Sequence, residues 1–309
     1  MARMLAGVML VLLATVDATS QEWPPIVGIP GVISPGVIVE LVKDGFTFLE
    51  GPVGTPDGGL FFSDIRANRI YRMDANGRVD VFRDNSNGAN GLALDDSGNV
   101  FAAEGRGKRI VRMDQRGNVT TITAAATGGQ PFLGPNDLIL DRRGGIYVTD
   151  TAPRENKEKA FVYYVRLDGH VMLVSDDIAR ANGLALTLDG KVLLVADSYG
   201  DTIFAFDIRA DGGAGSKRPF ARLQGVPAGA LSNADGMALD SEGRVYVICT
   251  TGVQVFDAAG NYLGNITIPS RGKTNIAFAG LDKRTLYVTT RERLYRVRML
   301  ARGPERPGK

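Results

Sequence analysis

Six segments of this 309-residue chain place a carboxylic acid or a carboxamide at the same distance before a turn. Counting back eight or nine residues from the turns reaches Glu50, Asn90, Asn136, Asn182, Asp235 and Asn275. Each of these side chains offers an oxygen donor, and no Lys, Arg, His or Cys stands at the shared position. Such donors suit a hard divalent cation, Ca²⁺ first and Mg²⁺ or Mn²⁺ next, with Zn²⁺ less well matched. If the six positions face one another, we expect them to hold one divalent cation.

An alternative explanation is that the shared position is simply a turn. Asn and Asp before Gly are common turn residues, and a repeat copies its turns whatever its function. This explanation covers Asn90, Asn182 and Asp235, which all precede Gly, better than it covers Glu50 and Asn136. Facing carboxylates also require a compensating charge, because burying them unpaired is costly. We therefore favour a bound cation over a turn.

The elements that must position these residues are short strands arranged in a repeat. Runs rich in Val, Ile, Phe and Tyr accompany turns centred on Gly58, Gly98, Gly144, Gly190, Gly243 and Arg284. A repeat of about forty to fifty residues with several short strands is typical of a β-propeller. We predict an all-β fold, a six-bladed β-propeller with a central metal-binding channel, over residues 37–300. Strand 37–43 has no partner of its own, and pairing it into the last blade would close the ring.

The two ends of the chain differ from the repeats. A charged start, an apolar run and small residues predict a secretory signal peptide over residues 1–20, cleaved near Ala18 or Ser20, with a retained anchor as the alternative. Residues 21–36 are rich in Pro and Gly and predict an N-terminal arm, and residues 301–309 predict a disordered tail. We expect an exported protein, periplasmic or extracellular, without a stable membrane span after cleavage.

Composition excludes several classes of function. The net charge is +2 and the basic residues are scattered, so no nucleic-acid partner is expected. The single histidine, His170, lies at a turn within a blade, which leaves no Ser-His-Asp or Cys-His arrangement for the channel. Cys249 is the single cysteine, so it forms no internal disulfide, and its strand position predicts a buried, inert thiol. The oligomeric state is not predictable from these features.

A resemblance to a known family enters through motifs that recur in order along the chain. These are LEGPVG, FFSDIRANRIYR, ANGLALDDSGNVFAAEGRGKRI, PNDLILD, NGLALTLDGKVLLVADS and DGMALDSEGRVYV. In order and spacing they resemble the gluconolactonase, regucalcin (senescence marker protein) and luciferin-regenerating enzyme family. The resemblance implies a six-bladed propeller with one catalytic divalent cation in the channel. It further implies that Glu50, Asn182 and Asp235 are metal ligands, that Asn136 ligates the ion or contacts substrate, and that Asp235 is the general base.

The expected activity is a metal-dependent hydrolase that opens a lactone ring, with gluconolactone-like aldonolactones as substrates. The predicted substrate-binding residues are Asn90, Asn136, Asn275, Glu104 and Arg109. Further candidates near strand ends are Arg66, Asp150, Asp197, Tyr199 and Arg291. Gly134 departs from the pattern, since regucalcin-type members carry an Arg there, so one contact to a sugar lactone is missing. The alternatives are a phosphotriesterase or aryl-ester hydrolase on this scaffold, and a non-catalytic binding propeller of the NHL type.

Overall fold

A computed structural model describes residues 23–152 and 159–305. The predicted signal peptide and its cleavage sites lie outside these residues. Regular structure in the described parts of the chain consists of β-strands and one short 3-10 turn, Thr127–Gly129. No helix long and apolar enough to cross a membrane occurs in the described residues.

The strands form six four-stranded antiparallel sheets, which are the predicted blades. Blade one contains β2 to β5, at Leu49–Gly54, Leu60–Asp64, Arg69–Met73 and Val79–Asp84. Blade two contains β6 to β9, at Ala89–Leu94, Val100–Glu104, Arg109–Met113 and Val119–Thr123. Blade three contains β10 to β13, at Pro135–Leu140, Ile146–Thr151, Ala160–Val165 and Val171–Ser175.

The remaining three blades follow the same pattern. Blade four contains β14 to β17, at Ala181–Leu186, Val192–Asp197, Thr202–Asp207 and Arg218–Arg222. Blade five contains β18 to β21, at Met237–Leu239, Val245–Cys249, Gly252–Phe256 and Tyr262–Ile266. Blade six contains β22 to β24, at Lys273–Ala279, Thr285–Thr290 and Arg293–Arg298, together with the N-terminal strand β1, at Val39–Asp44.

The ring is closed by the N-terminal strand, as the sequence predicts. Strand β1 pairs antiparallel with β24, from Val39 opposite Val297 to Asp44 opposite Arg293. An ion pair of 2.7 Å between Glu40 and Arg296 crosses the same two strands. Because β1 covers the outer edge of the last blade, that blade has the same four strands as the others.

The turns between the first two strands of the blades explain why Asp and Gly recur in the sequence. In blade three the Asp141 carboxylate accepts the amides of Arg143 and Gly145, at 2.7 and 2.8 Å, and Gly144 takes a φ of 85°. Glycine suits that position because it has no Cβ to resist a positive φ. In blade six Gly280 and Lys283 take positive φ, at 85° and 53°, whereas the predicted turn centre Arg284 does not.

Apolar side chains fill the spaces between neighbouring blades, and both ends of the chain pack onto this core. The arm contributes Ile26, Ile29, Val32 and Ile33 to a cluster formed with blades five and six. The start of the predicted disordered tail is also packed, because Ala301 is buried and its amide donates to the Val32 carbonyl at 3.1 Å. Arm and tail therefore brace each other against the propeller.

Candidate active site

The innermost strands of the six blades surround one axis. Strands β2, β6, β10, β14, β18 and β22 contact one another in a closed ring. In five of these strands the pairing with the next strand shifts register at the acid or amide position, for example between Glu50 and Val53 and between Ala181 and Leu184. Such irregularities redirect side chains away from the ladder. Asp235 lies just before β18, where its amide donates to the Ile248 carbonyl at 2.9 Å.

A cavity of about 390 Å³ opens at this end of the channel and brings the predicted residues together. It is lined by five of the six acid and amide positions, Glu50, Asn90, Asn136, Asn182 and Asp235. The sixth, Asn275, is buried behind them and donates its side-chain amide to the Glu50 carboxylate at 3.2 Å. Asn275 therefore orients Glu50 rather than facing the cavity.

The oxygens of two amides indicate what this cavity accommodates. Asn182 is buried and donates its amide nitrogen to Ser198 Oγ at 3.0 Å, so its oxygen is the atom left for another partner. The side-chain oxygens of Asn182 and Asn90 are both buried, and neither accepts a hydrogen bond within the described residues. A buried acceptor without a donor is costly, whereas an oxygen of this kind beside carboxylates is a good ligand for a hard cation.

The donor set also fits a hard cation by its composition. No group of three or more His, Cys, Asp or Glu in the described residues is arranged to hold a metal ion. An ion in the channel would therefore depend on two carboxylates, Glu50 and Asp235, together with amide oxygens. Two acids match the charge of one divalent cation, and because none of the six ring positions offers a thiolate or an imidazole, Ca²⁺ or Mg²⁺ is favoured over Zn²⁺.

The glycines that follow the ring residues are not turn residues, contrary to the alternative considered from sequence. Asn90 and Asn182 lie inside strands β6 and β14. A Cβ on Gly91 would overlap Asp137, and a Cβ on Gly183 would overlap the backbone carbonyl of Asp235. The glycines are required because the inner strands of neighbouring blades approach each other this closely around the axis.

We expect Gly183→Ala to destabilise the protein by about 3 kcal/mol, since the added methyl group meets backbone that cannot move without displacing blade five. Denaturant unfolding would measure the change in the free energy of unfolding. A suitable control is Gly215→Ala, because a Cβ at Gly215 has 3.5 Å to its nearest neighbour, the Asp207 carbonyl. Equal stability of the two variants would contradict the close-approach explanation.

Two residues predicted to bind substrate are placed elsewhere by the structure. Glu104 ends β7, and Arg109 begins β8 directly opposite it. The Glu104 side chain is fully buried and forms ion pairs with Arg109, at 2.6 Å, and with Arg83, at 2.7 Å. Neither Glu104 nor Arg109 lines the cavity. Their cross-strand pairing holds blade two together, so the structure gives no support to the prediction that they contact substrate.

The other candidates near strand ends fall into two groups: acids that accept hydrogen bonds from backbone amides, and residues that contact an aromatic ring or line the cavity. Asp150 accepts the amides of Leu133 and Gly134, at 2.9 and 2.7 Å, and burial raises the pKa of its carboxyl group. Asp197 accepts the amides of Arg180 and Tyr199, both at 3.0 Å, so both acids cap backbone. The guanidinium carbon of Arg180 lies over the Tyr199 ring, 5.5 Å from the ring centre. Arg66 and Arg291 both lie over the Phe48 ring, and Arg291 lines the cavity.

Several cavity residues carry no signal in the sequence repeat. These are Phe48, Ile65, Arg180, Asn233, Cys249, Thr250, Arg271, Gly272, Lys273 and Thr274. Cys249 is buried, as predicted, but it also borders the cavity. Lys273 is half-buried, and this burial lowers the pKa of its ammonium group.

Comparison with known proteins identifies the family of this chain. Residues 48–292, which contain all six ring positions, match the family described as the SMP-30/gluconolactonase/LRE-like region. The chain belongs to this family. It is 26% identical over 289 residues to the gluconolactonase of Zymomonas mobilis, which covers 84% of this chain and 81% of that protein. The expected resemblance is thereby confirmed.

Two further relatives support the same assignment. Regucalcin of Danio rerio is 29% identical over 197 residues, which cover 60% of this chain and 64% of that protein. The solved structure of a gluconolactonase from Xanthomonas campestris has a TM-score of 0.78 and 28% identity, covering 91% of this chain and 96% of that chain. Members of the SMP-30/gluconolactonase family thus share the six-bladed propeller found here.

Proposed function

We propose that this protein is a sugar-lactone hydrolase that uses one divalent cation, Ca²⁺ as first choice, held in the channel cavity. The observation that carries this proposal is that the buried side-chain oxygens of Asn90 and Asn182 accept no hydrogen bond within the described residues and line one cavity with Glu50 and Asp235. The proposal is supported by relatives named gluconolactonase and pentonolactonase, the latter from Haloferax volcanii. The calcium-binding regucalcin structure from Agrobacterium tumefaciens supports the choice of ion.

The residues that would hold the cation are Glu50, Asn182 and Asp235, with Asn136 either as a fourth ligand or as a substrate contact. When bound, such an ion supplies Lewis acidity and stabilises negative charge that develops on the lactone carbonyl oxygen. Asn275 keeps Glu50 oriented through the 3.2 Å hydrogen bond. Ser198 does the same for Asn182.

The remaining chemistry falls to Asp235 and to water. Asp235 is only partly buried, so solvent reaches its carboxylate. As general base, it takes a proton from water while the water oxygen bonds to the acyl carbon. The acyl carbon–ring oxygen bond then breaks, and Asp235 gives its proton to the leaving oxygen, which becomes a hydroxyl group. The product is an open hydroxy acid, which ionises and releases one proton for each lactone opened.

The experiment that tests this function is a panel of lactones assayed by proton release, with chelator and then with Ca²⁺, Mg²⁺, Mn²⁺ or Zn²⁺ restored. Hydrolysis should require a divalent ion and should be fastest on aldonolactones. Aryl esters and phosphotriesters belong in the same panel, because the scaffold alone does not exclude them. Absence of turnover with every lactone and every ion would contradict the proposal and favour a non-catalytic propeller.

Removing the ion should also destabilise the fold, because residues from blades one, four and five would share it. A ligand bound only to the folded state at a hundred times its dissociation constant contributes about 2.7 kcal/mol. For a chain of this size we expect chelation to lower the Tm by about 5 °C. Thermal unfolding with chelator, followed by restoration of Ca²⁺, measures this shift. An unchanged Tm would argue that no ion bridges the blades.

A further inference from the structure

The channel cavity carries a concentration of positive charge on one side that lactone hydrolysis alone does not require. Arg271, Lys273 and Arg291, here called the cationic rim, all line it from blade six and the segment leading into that blade. Arg180 lines the cavity from the segment leading into blade four. The cavity is large enough for a small sugar derivative, since small-molecule sites start at about 300 Å³.

The charge of the rim is not balanced by neighbouring acids. The acids lining the cavity are Glu50 and Asp235, and a divalent cation would neutralise both. Lys273 donates to the carbonyls of Ser270 and Thr250, at 3.0 and 3.3 Å, which are neutral partners.

In the part of the chain that the structure describes, neither rim arginine forms an ion pair with an acid. Arg291 lies over the Phe48 ring at 5.6 Å. Within the described residues no ion pair involves Arg271, Lys273 or Arg291, whereas Arg296 and Arg298 of the same blade pair with Glu40 and Asp282.

The positive surface continues beyond the cavity. A neighbouring cleft shares Arg271 and Arg291 and adds Arg293, with Glu292 as its acidic residue. Three cations against one acid leave this approach positive as well. Clefts lined by one sign of charge concentrate ligands of the opposite sign and speed their association.

Given the lactonase function proposed above, on which this step rests, we propose that the substrate is an anionic lactone. Its ring lies over the acid and amide positions, and a carboxylate or phosphate substituent reaches the cationic rim. An arginine guanidinium can donate hydrogen bonds to two oxygens of a carboxylate or phosphate at once, and the Lys273 ammonium adds a further positive charge. Gly134 removes the arginine contact that the family resemblance leads one to expect, so recognition through blade six replaces it.

The test compares charged and neutral lactones of matched ring size. Glucono-δ-lactone is paired with its terminal phosphate ester, and glucono-γ-lactone with glucaro-γ-lactone, which carries a carboxylate. We expect kcat/KM to favour at least one charged member by about tenfold or more at low salt, and this preference to shrink as salt screens the rim. Whichever pair shows the larger ratio identifies phosphate or carboxylate as the group recognised.

Substitutions in the cationic rim test whether these residues cause the preference for charged lactones. Arg291→Gln and Lys273→Gln should each lower the charged-to-neutral ratio of kcat/KM by about tenfold, a change that a loss of folding or of metal would not produce. Arg116→Gln, at an exposed turn of blade two, is the matched control and should leave the ratio as it is.

Two experimental outcomes distinguish the anionic-substrate proposal from the lactonase proposal on which it rests. If neutral lactones are hydrolysed as well as charged ones, or if the rim variants keep the wild-type ratio, the anionic substrate is wrong and the lactonase stands. If no lactone is hydrolysed with any ion, the lactonase proposal fails and the anionic substrate fails with it.

Discussion

Replacing Asp235 with asparagine should lower kcat for lactone hydrolysis by about 10³-fold, because it removes both the general base and one of two carboxylates in the cavity. The side chain keeps its size, and the Asp235 backbone amide keeps its hydrogen bond to Ile248. Circular dichroism should therefore be unchanged. Steady-state rates of proton release, measured with saturating Ca²⁺, give the effect on catalysis.

The matched control for Asp235 is Asp96→Asn, which makes the same change at an exposed turn of blade two. We expect wild-type kcat from this control. A pH–rate profile adds a second readout, because loss of a general base removes the ionisation that limits the rate at low pH. If Asp235→Asn retains wild-type kcat, the assignment of Asp235 is wrong.

The second large effect concerns Glu50 and the affinity for the cation. Glu50→Gln removes half of the negative charge that faces the ion, and we expect Ca²⁺ binding to weaken by more than about 100-fold. Asn275→Ala leaves the charge but removes the 3.2 Å hydrogen bond that orients it. Loss of such a supporting contact typically weakens metal binding by about 10- to 100-fold. Isothermal titration with Ca²⁺ should rank the wild type, Asn275→Ala and Glu50→Gln in that order.

The stability of the metal-free protein distinguishes a ligand from a structural residue. Without the ion, Glu50 is a buried carboxylate that lines the same cavity as Asp235, so Glu50→Gln should cost little stability or even increase it. Glu292→Gln, at an exposed site on the same face, controls for the long-range effect of one charge. Wild-type Ca²⁺ affinity in Glu50→Gln would show that Glu50 is not a ligand.

The blades and the ring of acids and amides were predictable because each corresponds to a sequence pattern that recurs along the chain. A buried strand, a turn with Gly at positive φ, and the constant spacing back to Glu50 or Asn182 recur in register with the fold. Ring closure by β1 was predictable for a related reason, since the last repeat lacked one strand. The metal-binding role proposed for the ring follows from the oxygen donors that its residue types supply.

Properties that depend on which residues face each other were not predictable. Glu104 and Arg109 were placed at the site because they stand at strand ends, but cross-strand pairing turns them toward each other. The glycines after Asn90 and Asn182 look like turn residues in sequence, yet they serve contacts between strands more than forty residues apart. No local pattern encodes that approach.

Two residues of the cationic rim, Arg271 and Lys273, were missed for a similar reason, whereas Arg291 was among the candidates near strand ends. Arg271 lies in the irregular segment that enters blade six, and Lys273 is the first residue of β22, so neither stands at the position that the repeat marks. Closure of the ring then brings Arg271, Lys273 and Arg291 beside Glu50, which is more than two hundred residues away in sequence. Only the three-dimensional ring reveals that these charges share one cavity.

The most direct test of the central claim is to titrate metal-free protein with Ca²⁺ while measuring both binding and lactone hydrolysis. We expect the rate to rise in proportion to occupancy and to saturate at one ion per chain, and Glu50→Gln and Asp235→Asn to lose the response. Full lactone hydrolysis in excess chelator would contradict the account, and so would Ca²⁺ binding that leaves every lactone intact.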